Sequence, residues 1–112
     1  MDRIHYAGDS LLTGTEIATA LLEYAQALAG AGNSDTVEIP IVRDDGSVGR
    51  ANFVIGPASQ LVSIVEVSER AELEDQEVVE SLRHKAAALG TPTAVSGDKS
   101  LFVPDGLADL DF

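Results

Sequence analysis

The sequence predicts an α+β domain in which an antiparallel sheet of about four to five strands carries two helices packed on one face. Three features support this class: two segments with apolar residues at helical spacing, several short segments with alternating apolar residues, and turn-forming residues between them. A split βαβ, ferredoxin-like arrangement is the alternative. At 112 residues and 45% hydrophobic composition, we expect one globular domain, 1–112, with a mobile acidic tail from about residue 104.

The first segment, RIHYAGDSLL, has the pattern of a short β-hairpin. Ile4 and Tyr6 alternate with Arg3 and His5, and the AGDS that follows consists of turn-forming residues. We therefore expect two short strands at the start of the chain.

An amphipathic helix is expected next, ending where Gly30 and Gly32 permit the left-handed C-cap conformation. Thr13 is its predicted N-cap, because Glu16 three residues later completes a capping box, and Thr15 is the competing cap. The apolar stripe has helical spacing: Ile17, Leu21, Tyr24, Ala25 and Leu28, widened by Ala18 and Leu22.

Two strands joined by a tight loop follow this helix. Their apolar residues alternate: Val37, Ile39 and Ile41 in the first strand, and Ala51, Phe53 and Ile55 in the second. The RDDGSVG between them predicts a hairpin loop, because Asp45-Gly46 is a dipeptide that such turns favour. Pro40 lacks an N–H, which places the first strand at a sheet edge or leaves that position unpaired.

The most apolar stretch, FVIGPASQLVSIVEV, is interrupted at residues 56–59. Proline pre-sets φ for a turn and both flanking runs have strand patterns, so we expect a hairpin connection between two core strands. The alternative is a ligand loop that presents Ser59 or backbone N–H groups. The stretch lacks the flanking helix, lysine or repeated glycines of a phosphate cradle, which favours the turn.

The strand after this loop carries apolar residues on both faces. Leu61, Val65 and Val67 share one face with Ser63, and Val62 and Ile64 lie on the other. We expect a central strand whose second face is covered either by the segment around Leu101, Phe102 and Val103 or by a second subunit. Between these two, the sequence favours a homodimer.

The second helix is expected to begin between Glu69 and Asp75 and to run to Leu89, where Gly90 and Pro92 end it. Its apolar stripe consists of Val78, Val79, Leu82, Ala86 and Leu89. Acidic residues crowd its first half and basic residues come late, as the helix dipole favours. TPTAV and SLFVP are expected to add short strands.

Charge and composition narrow the function classes. Nineteen acidic residues against seven basic ones give a net charge of −12, which argues against binding to nucleic acid or to anionic membranes. The absence of cysteine excludes disulfides, thiol catalysis and cysteine-based zinc sites. No signal peptide or membrane-spanning pattern is present, so we expect a cytoplasmic protein.

The sequence identifies no catalytic, cofactor-binding or metal-binding residues. His5 and His84 are the only histidines, and neither belongs to a metal or catalytic motif. The Asp44-Asp45-Gly46 loop lacks the closing glutamate of a calcium loop. We therefore expect no cofactor.

Three function classes remain open. The favoured one is a non-enzymatic interaction or regulatory protein that binds a basic protein partner, comparable by analogy to immunity proteins or antitoxins. The alternative is a small-molecule-binding module or minor enzyme with a pocket between the sheet and the helices. The third is DNA binding as a dimer, because the order helix, three strands, helix is similar to that of small dimeric nucleoid-associated proteins; the acidity argues against it.

Overall fold

The structure, a computed structural model, describes residues 1–89, which form a five-stranded antiparallel sheet and two helices. In chain order the elements are β1 (Asp2–Tyr6), β2 (Asp9–Thr13), α1 (Thr15–Ala31), β3 (Asp35–Val42), β4 (Val48–Ile55), β5 (Leu61–Val65) and α2 (Gln76–Ala88). The strands lie in the order β4-β3-β2-β1-β5. The predicted α+β class is confirmed. The expected short strands after α2, the cover at residues 101–103 and the tail from about 104 lie outside the described residues.

The predicted N-terminal hairpin is confirmed. β1 and β2 pair along their full length, and the two turn residues, Ala7 and Gly8, have positive φ angles of 53° and 85°. Two such residues give a turn whose twist matches that of the flanking strands. β2 pairs with one edge of β1, and the other edge of β1 is therefore available to a further strand, which is β5.

β2 and β3 are neighbours in the sheet but are joined by very little backbone pairing, and we call this junction the β2–β3 seam. They pair only at Leu12 and Val42, whereas β3 and β4 pair along their entire length. A bond from the Arg43 N–H to the Ser47 carbonyl (2.8 Å) extends the β3–β4 ladder, so by alternation Pro40 directs its missing N–H toward β2. The sequence predicted either that β3 is an edge strand or that its ladder is unpaired at Pro40. The second prediction is correct, because β3 lies between β4 and β2.

A side chain completes this seam. The fully buried Thr13 hydroxyl donates to the Pro40 carbonyl at 2.8 Å. The prediction that Thr13 caps α1 is therefore wrong: the N-cap is Gly14, which makes no side-chain bond. The competing prediction is wrong too, because Thr15 is the first helical residue and its hydroxyl donates to Asp2 Oδ1 at 2.6 Å.

The cap of α1 comes from a distant part of the chain. The Glu72 carboxylate accepts from the Thr15 N–H at 2.6 Å and from the N-terminal ammonium of Met1 at 3.1 Å. These bonds, the one from Thr15 foremost, hold the pKa of Glu72 below its usual value. A Cβ on Gly14 would lie 1.8 Å from the Leu73 carbonyl oxygen, so glycine allows the 66–75 connection to pack against the start of α1.

One core unites both helices with one face of the sheet. Its buried members are Ile4, Ile17, Ala18, Ala20, Leu21, Tyr24, Ala27, Leu28, Val37, Ile39, Ile55, Val79, Leu82 and Ala86. The strand residues in this set lie on the face that the alternation patterns predicted. Both predicted helical stripes supply buried members: Ile17, Ala18, Leu21, Tyr24 and Leu28 from α1, and Val79, Leu82 and Ala86 from α2. The buried Ala20 and Ala27 of α1 were not part of the predicted stripe. A smaller cluster of Met1, Leu12 and Val42 packs with Leu73. α2 begins with Asp75 as N-cap, whose side chain accepts from the Val78 N–H.

The prediction for β5 is wrong. It is an edge strand that pairs with β1, and β4 lies at the opposite end of the sheet order, so residues 56–59 are not a hairpin turn between paired strands. The physical reason is the open edge of β1, which offers β5 a full ladder. The connection from Ile55 to Leu61 contains a turn at residues 56–59, and it has only a short distance to cross because Tyr6, the β1 partner of Leu61, contacts Val54 of β4. Val62 and Ile64 remain exposed.

We predict that Glu72→Ala lowers the free energy of unfolding by about 1 kcal/mol, since the loss of a helix N-cap has this magnitude. Because the pKa of Glu72 is lowered by folding, its contribution is fully present above the ordinary glutamate pKa and is lost as pH falls through the lowered value. Urea unfolding at neutral and acidic pH measures both effects. Glu74→Ala, an exposed neighbour in the same connection, is the matched control; an equal loss in both variants contradicts the capping role.

Candidate functional site

The two histidines lie on opposite layers of the fold. His5 is exposed on the face of the sheet that points away from the helices, opposite Val62 of β5, and His84 is exposed on α2. The structure therefore does not bring them together. Within residues 1–89 no three histidine, aspartate or glutamate side chains are placed to hold a metal ion.

The Asp44-Asp45-Gly46 segment is a structural turn, as predicted. The Asp45 carboxylate accepts from the Ser47 hydroxyl at 2.6 Å and from the Ser47 N–H at 2.9 Å, and these bonds lower the pKa of Asp45. Gly46 has a φ of 90°, a conformation that other residues rarely adopt. The carboxylate is therefore already engaged within its own turn.

Residues 56–60 form one wall of an open cleft of about 750 Å³. The loop closes on itself, because the Ser59 N–H donates to the Gly56 carbonyl and the Gly56 N–H donates to the Ser59 hydroxyl, both at 3.0 Å. The other walls come from the β1–β2 turn, Val54, Val62 and His5. The Ser59 hydroxyl therefore accepts a bond from its own loop, and the cleft offers a ligand mainly apolar surface.

Tyr6 shows how the sheet bends around this cleft. Its hydroxyl donates to the Val54 carbonyl, and its ring centroid lies 5.0 Å from that of Phe53. β1 and β4 are three positions apart in the strand order, roughly 14 Å in a flat sheet. Contact between their side chains therefore indicates that the sheet curls at this end.

Three of the arginines line a second cleft, of about 540 Å³, near the β3–β4 turn. They are Arg3, Arg43 and Arg70, and the same cleft contains the carboxylates of Asp44, Glu66 and Glu69. Arg3 donates to both oxygens of Glu66, at 2.7 and 3.0 Å, which raises the pKa of Arg3 and lowers that of Glu66. Equal numbers of opposite charges leave this cleft without a positive field.

The acidic surface consists of Glu74, Glu77 and Glu80, all exposed on or just before α2. None of the three forms an ion pair with another residue of 1–89. Glu77 and Glu80 are three residues apart and so share one side of the helix. α2 therefore presents adjacent carboxylates to solvent.

Cations near the acidic surface are already paired. The Arg83 guanidinium lies between two carboxylates of α1, 3.2 Å from Glu23 Oε1 and 3.7 Å from Glu16 Oε2. Lys85 lies 3.7 Å from Asp35 Oδ2. Arg83 and Lys85 of α2 thus point to carboxylates of other elements, and within residues 1–89 no cation pairs with the acidic surface.

Asp35 also joins α1 to β3. The hydroxyl of Tyr24, which is only 5% exposed, donates to Asp35 Oδ2 at 2.5 Å. Burial and then this bond raise the pKa of Tyr24 to about 12, and the same bond is the main cause of the lowered pKa of Asp35. The Lys85 ammonium lies 5.9 Å from the centroid of the Tyr24 ring.

Comparison of the chain with protein-family models, with curated proteins and with solved structures finds no match. No helix in the described part of the chain is long and apolar enough to cross a membrane. The candidate sites therefore rest on the geometry and charge described above.

Sequence reasoning identified the charge of α2 but missed the 56–60 cleft and the edge of β5 that is unpaired within residues 1–89. Both depend on the strand order, because a hairpin between β4 and β5 would have removed them. The length of the connection gave no signal, because five-residue loops such as GPASQ also join hairpins.

We predict that Tyr24→Phe lowers the free energy of unfolding by about 1.5–3 kcal/mol, because it removes a hydrogen bond to a charged acceptor. The raised pKa of Tyr24 means that its contribution is fully present below the ordinary tyrosine pKa and is lost as pH rises through about 12, so neutral pH reveals all of it. Chemical denaturation is the measurement. Lys85→Met, which removes an exposed ion pair, should have a smaller effect; the reverse order would contradict this assignment.

Proposed function

We propose that this chain is a non-enzymatic interaction protein that binds a basic protein partner through the acidic surface on α2. The supporting observation is that Glu74, Glu77 and Glu80 are exposed, adjacent and without ion-pair partners among residues 1–89. A homodimer would present two copies of this surface. Immunity proteins and antitoxins remain a functional analogy only.

The helix dipole accounts for only part of this charge. Asp75 caps α2, and Glu77 lies in its first turn, where negative charge is stabilising. Glu80 lies in the second turn, where the effect of the dipole has fallen off, and it stands three residues from Glu77. Two like charges at this spacing destabilise an isolated helix slightly, so a binding role explains the position of Glu80 better than stability does.

A basic partner gains from such a surface chiefly in its association rate and specificity. Complementary charges steer encounter and reject like-charged competitors, and both effects weaken as salt screens the field. The partner that we propose therefore carries clustered lysine or arginine side chains and binds in a salt-dependent manner.

A small-molecule-binding module is the second candidate, and the 56–60 cleft is the observation that favours it. The cleft lies at one end of the curled sheet rather than between the sheet and the helices, where the alternative had placed a pocket. Its lining suits a small apolar ligand. Native mass spectrometry of the purified protein, with a bound small molecule that Val62→Asp removes, would support this candidate.

We predict that immobilised wild-type protein captures a basic protein and that Glu77→Gln with Glu80→Gln reduces its affinity at least about tenfold. Quantitative mass spectrometry identifies the captured protein, and calorimetry with the purified partner gives the affinity. The fold of the variant is checked by circular dichroism.

The matched control is Asp9→Asn with Asp44→Asn. It changes the net charge by the same amount at exposed positions outside the helices. Equal affinities of the two double variants would contradict binding through the acidic surface, since the loss would then depend on total charge alone.

We also predict no detectable binding to duplex DNA at physiological salt. The three arginines of the second cleft are matched by three carboxylates, and the chain as a whole carries −12. A gel-shift assay tests this. An affinity tighter than about a micromolar, with a steep salt dependence, would contradict the prediction.

A further inference from the structure

β5 offers a backbone edge that no strand of residues 1–89 pairs with. The Glu66 N–H donates to the Met1 carbonyl at 2.9 Å, which extends the β1–β5 ladder by one pair. In an antiparallel ladder, residues bond the neighbouring strand alternately. Val62 and Ile64 therefore bond β1, and the N–H and C=O groups of Leu61, Ser63 and Val65 point away from it.

This edge has none of the usual protection against pairing. Strand edges in soluble proteins commonly carry charges, prolines or bulges. β5, with the sequence LVSIV, has no charge and no proline, and it pairs with β1 without a bulge. By contrast β4, at the other side of the sheet, carries Arg50, which is paired to Glu38.

The side chains around the edge are apolar and exposed. Val62 and Ile64 are each 54% exposed on the face away from the helices, and Val65 is 74% exposed on the other face. Exposed apolar residues on both faces of an unpaired strand are typical of a surface that is covered by another strand.

The charge distribution favours a second copy of this chain as the partner at the β5 edge. The chain carries −12, yet residues 51–65 contain no charged residue. A basic partner gains no electrostatic attraction at such a segment. A second copy of this chain, which is repelled by the acidic surface, meets the least repulsion there.

We propose that two copies of this chain pair antiparallel through their β5 edges, about a two-fold axis at Ser63. In this register the outward N–H and C=O groups of Leu61 form hydrogen bonds with those of Val65 in the second copy. The same groups of Ser63 bond those of Ser63 in the second copy. Every outward N–H and C=O of β5 is then bonded, which registers centred on Val62 or Ile64 do not achieve.

The same register pairs the side chains. Val62 lies opposite Ile64 of the second copy on the face away from the helices, and Leu61 lies opposite Val65 on the other face. Such pairs of apolar residues across antiparallel strands stabilise a sheet. The two sheets join into one continuous sheet, and the acidic surface takes no part, so this proposal and the proposed function fail separately.

Analytical ultracentrifugation of the full chain tests the pairing. We expect a dimer for the wild type, strengthened by moderate salt because screening reduces repulsion between the acidic copies. Val65→Lys should raise the dimer dissociation constant at least about tenfold. Val48→Lys makes the same charge change at another exposed strand valine and should leave the constant unchanged. A monomeric wild type, or equal weakening by both variants, would overturn the proposal.

Cysteine crosslinking tests the register, because the chain has no cysteine of its own. Val62 and Ile64 would form a pair without mutual backbone bonds, at a Cα separation of about 4.5 Å, which a disulfide can bridge. A mixture of Val62→Cys and Ile64→Cys should therefore oxidise to a heterodimer. Val54→Cys, with 53% exposure, replaces Ile64→Cys in the control mixture and should not crosslink. No crosslink in the first mixture, or equal crosslinking in both, would overturn this register.

Discussion

The bond from Thr13 to the Pro40 carbonyl is the constraint on which the sheet depends. It joins a three-stranded unit, β2-β1-β5, to the β3–β4 hairpin at the point where proline interrupts the ladder. Only one residue pair, Leu12 with Val42, links β2 and β3 directly. Side-chain contacts supply the rest of the connection: the helix core contacts strands of both units, Leu12 packs with Val42, and Tyr6 reaches Val54.

This division explains why the sheet can curl. A continuous ladder would hold β2 and β3 side by side along their full length, whereas a single pair and one side-chain bond leave the other end free to bend. Tyr6 of β1 can then reach Val54 and Phe53 of β4. The cleft at residues 56–60 is a consequence of this curl and of the connection that crosses it.

Local sequence patterns predicted most of the helices and strands correctly. The predictions that failed concern features that depend on contacts between residues distant in sequence. The helical stripe of α2 and the alternation in β3 and β4 depend on neighbours in sequence, so they could be read directly. The cap of α1 is supplied by Glu72, more than fifty residues away, and no local pattern identifies it. The position of β5 likewise depends on a free edge of β1 that the sequence does not reveal. The charge of the acidic surface was visible in the sequence, but its lack of ion pairs with other residues of 1–89 could be recognised only from the positions of Arg83 and Lys85.

The pairing of β5 with β1 also governs the order in which the molecule can assemble during synthesis. Asp2 pairs with Val65, so β1 emerges from the ribosome long before its second neighbour exists. The N-terminal hairpin can form early because its contacts are local, but the sheet cannot be completed until the chain has been made beyond β5. The cap from Glu72 and the packing of α2 come later still. A nascent chain halted before residue 61 would therefore leave the β5-facing backbone edge of β1 unpaired.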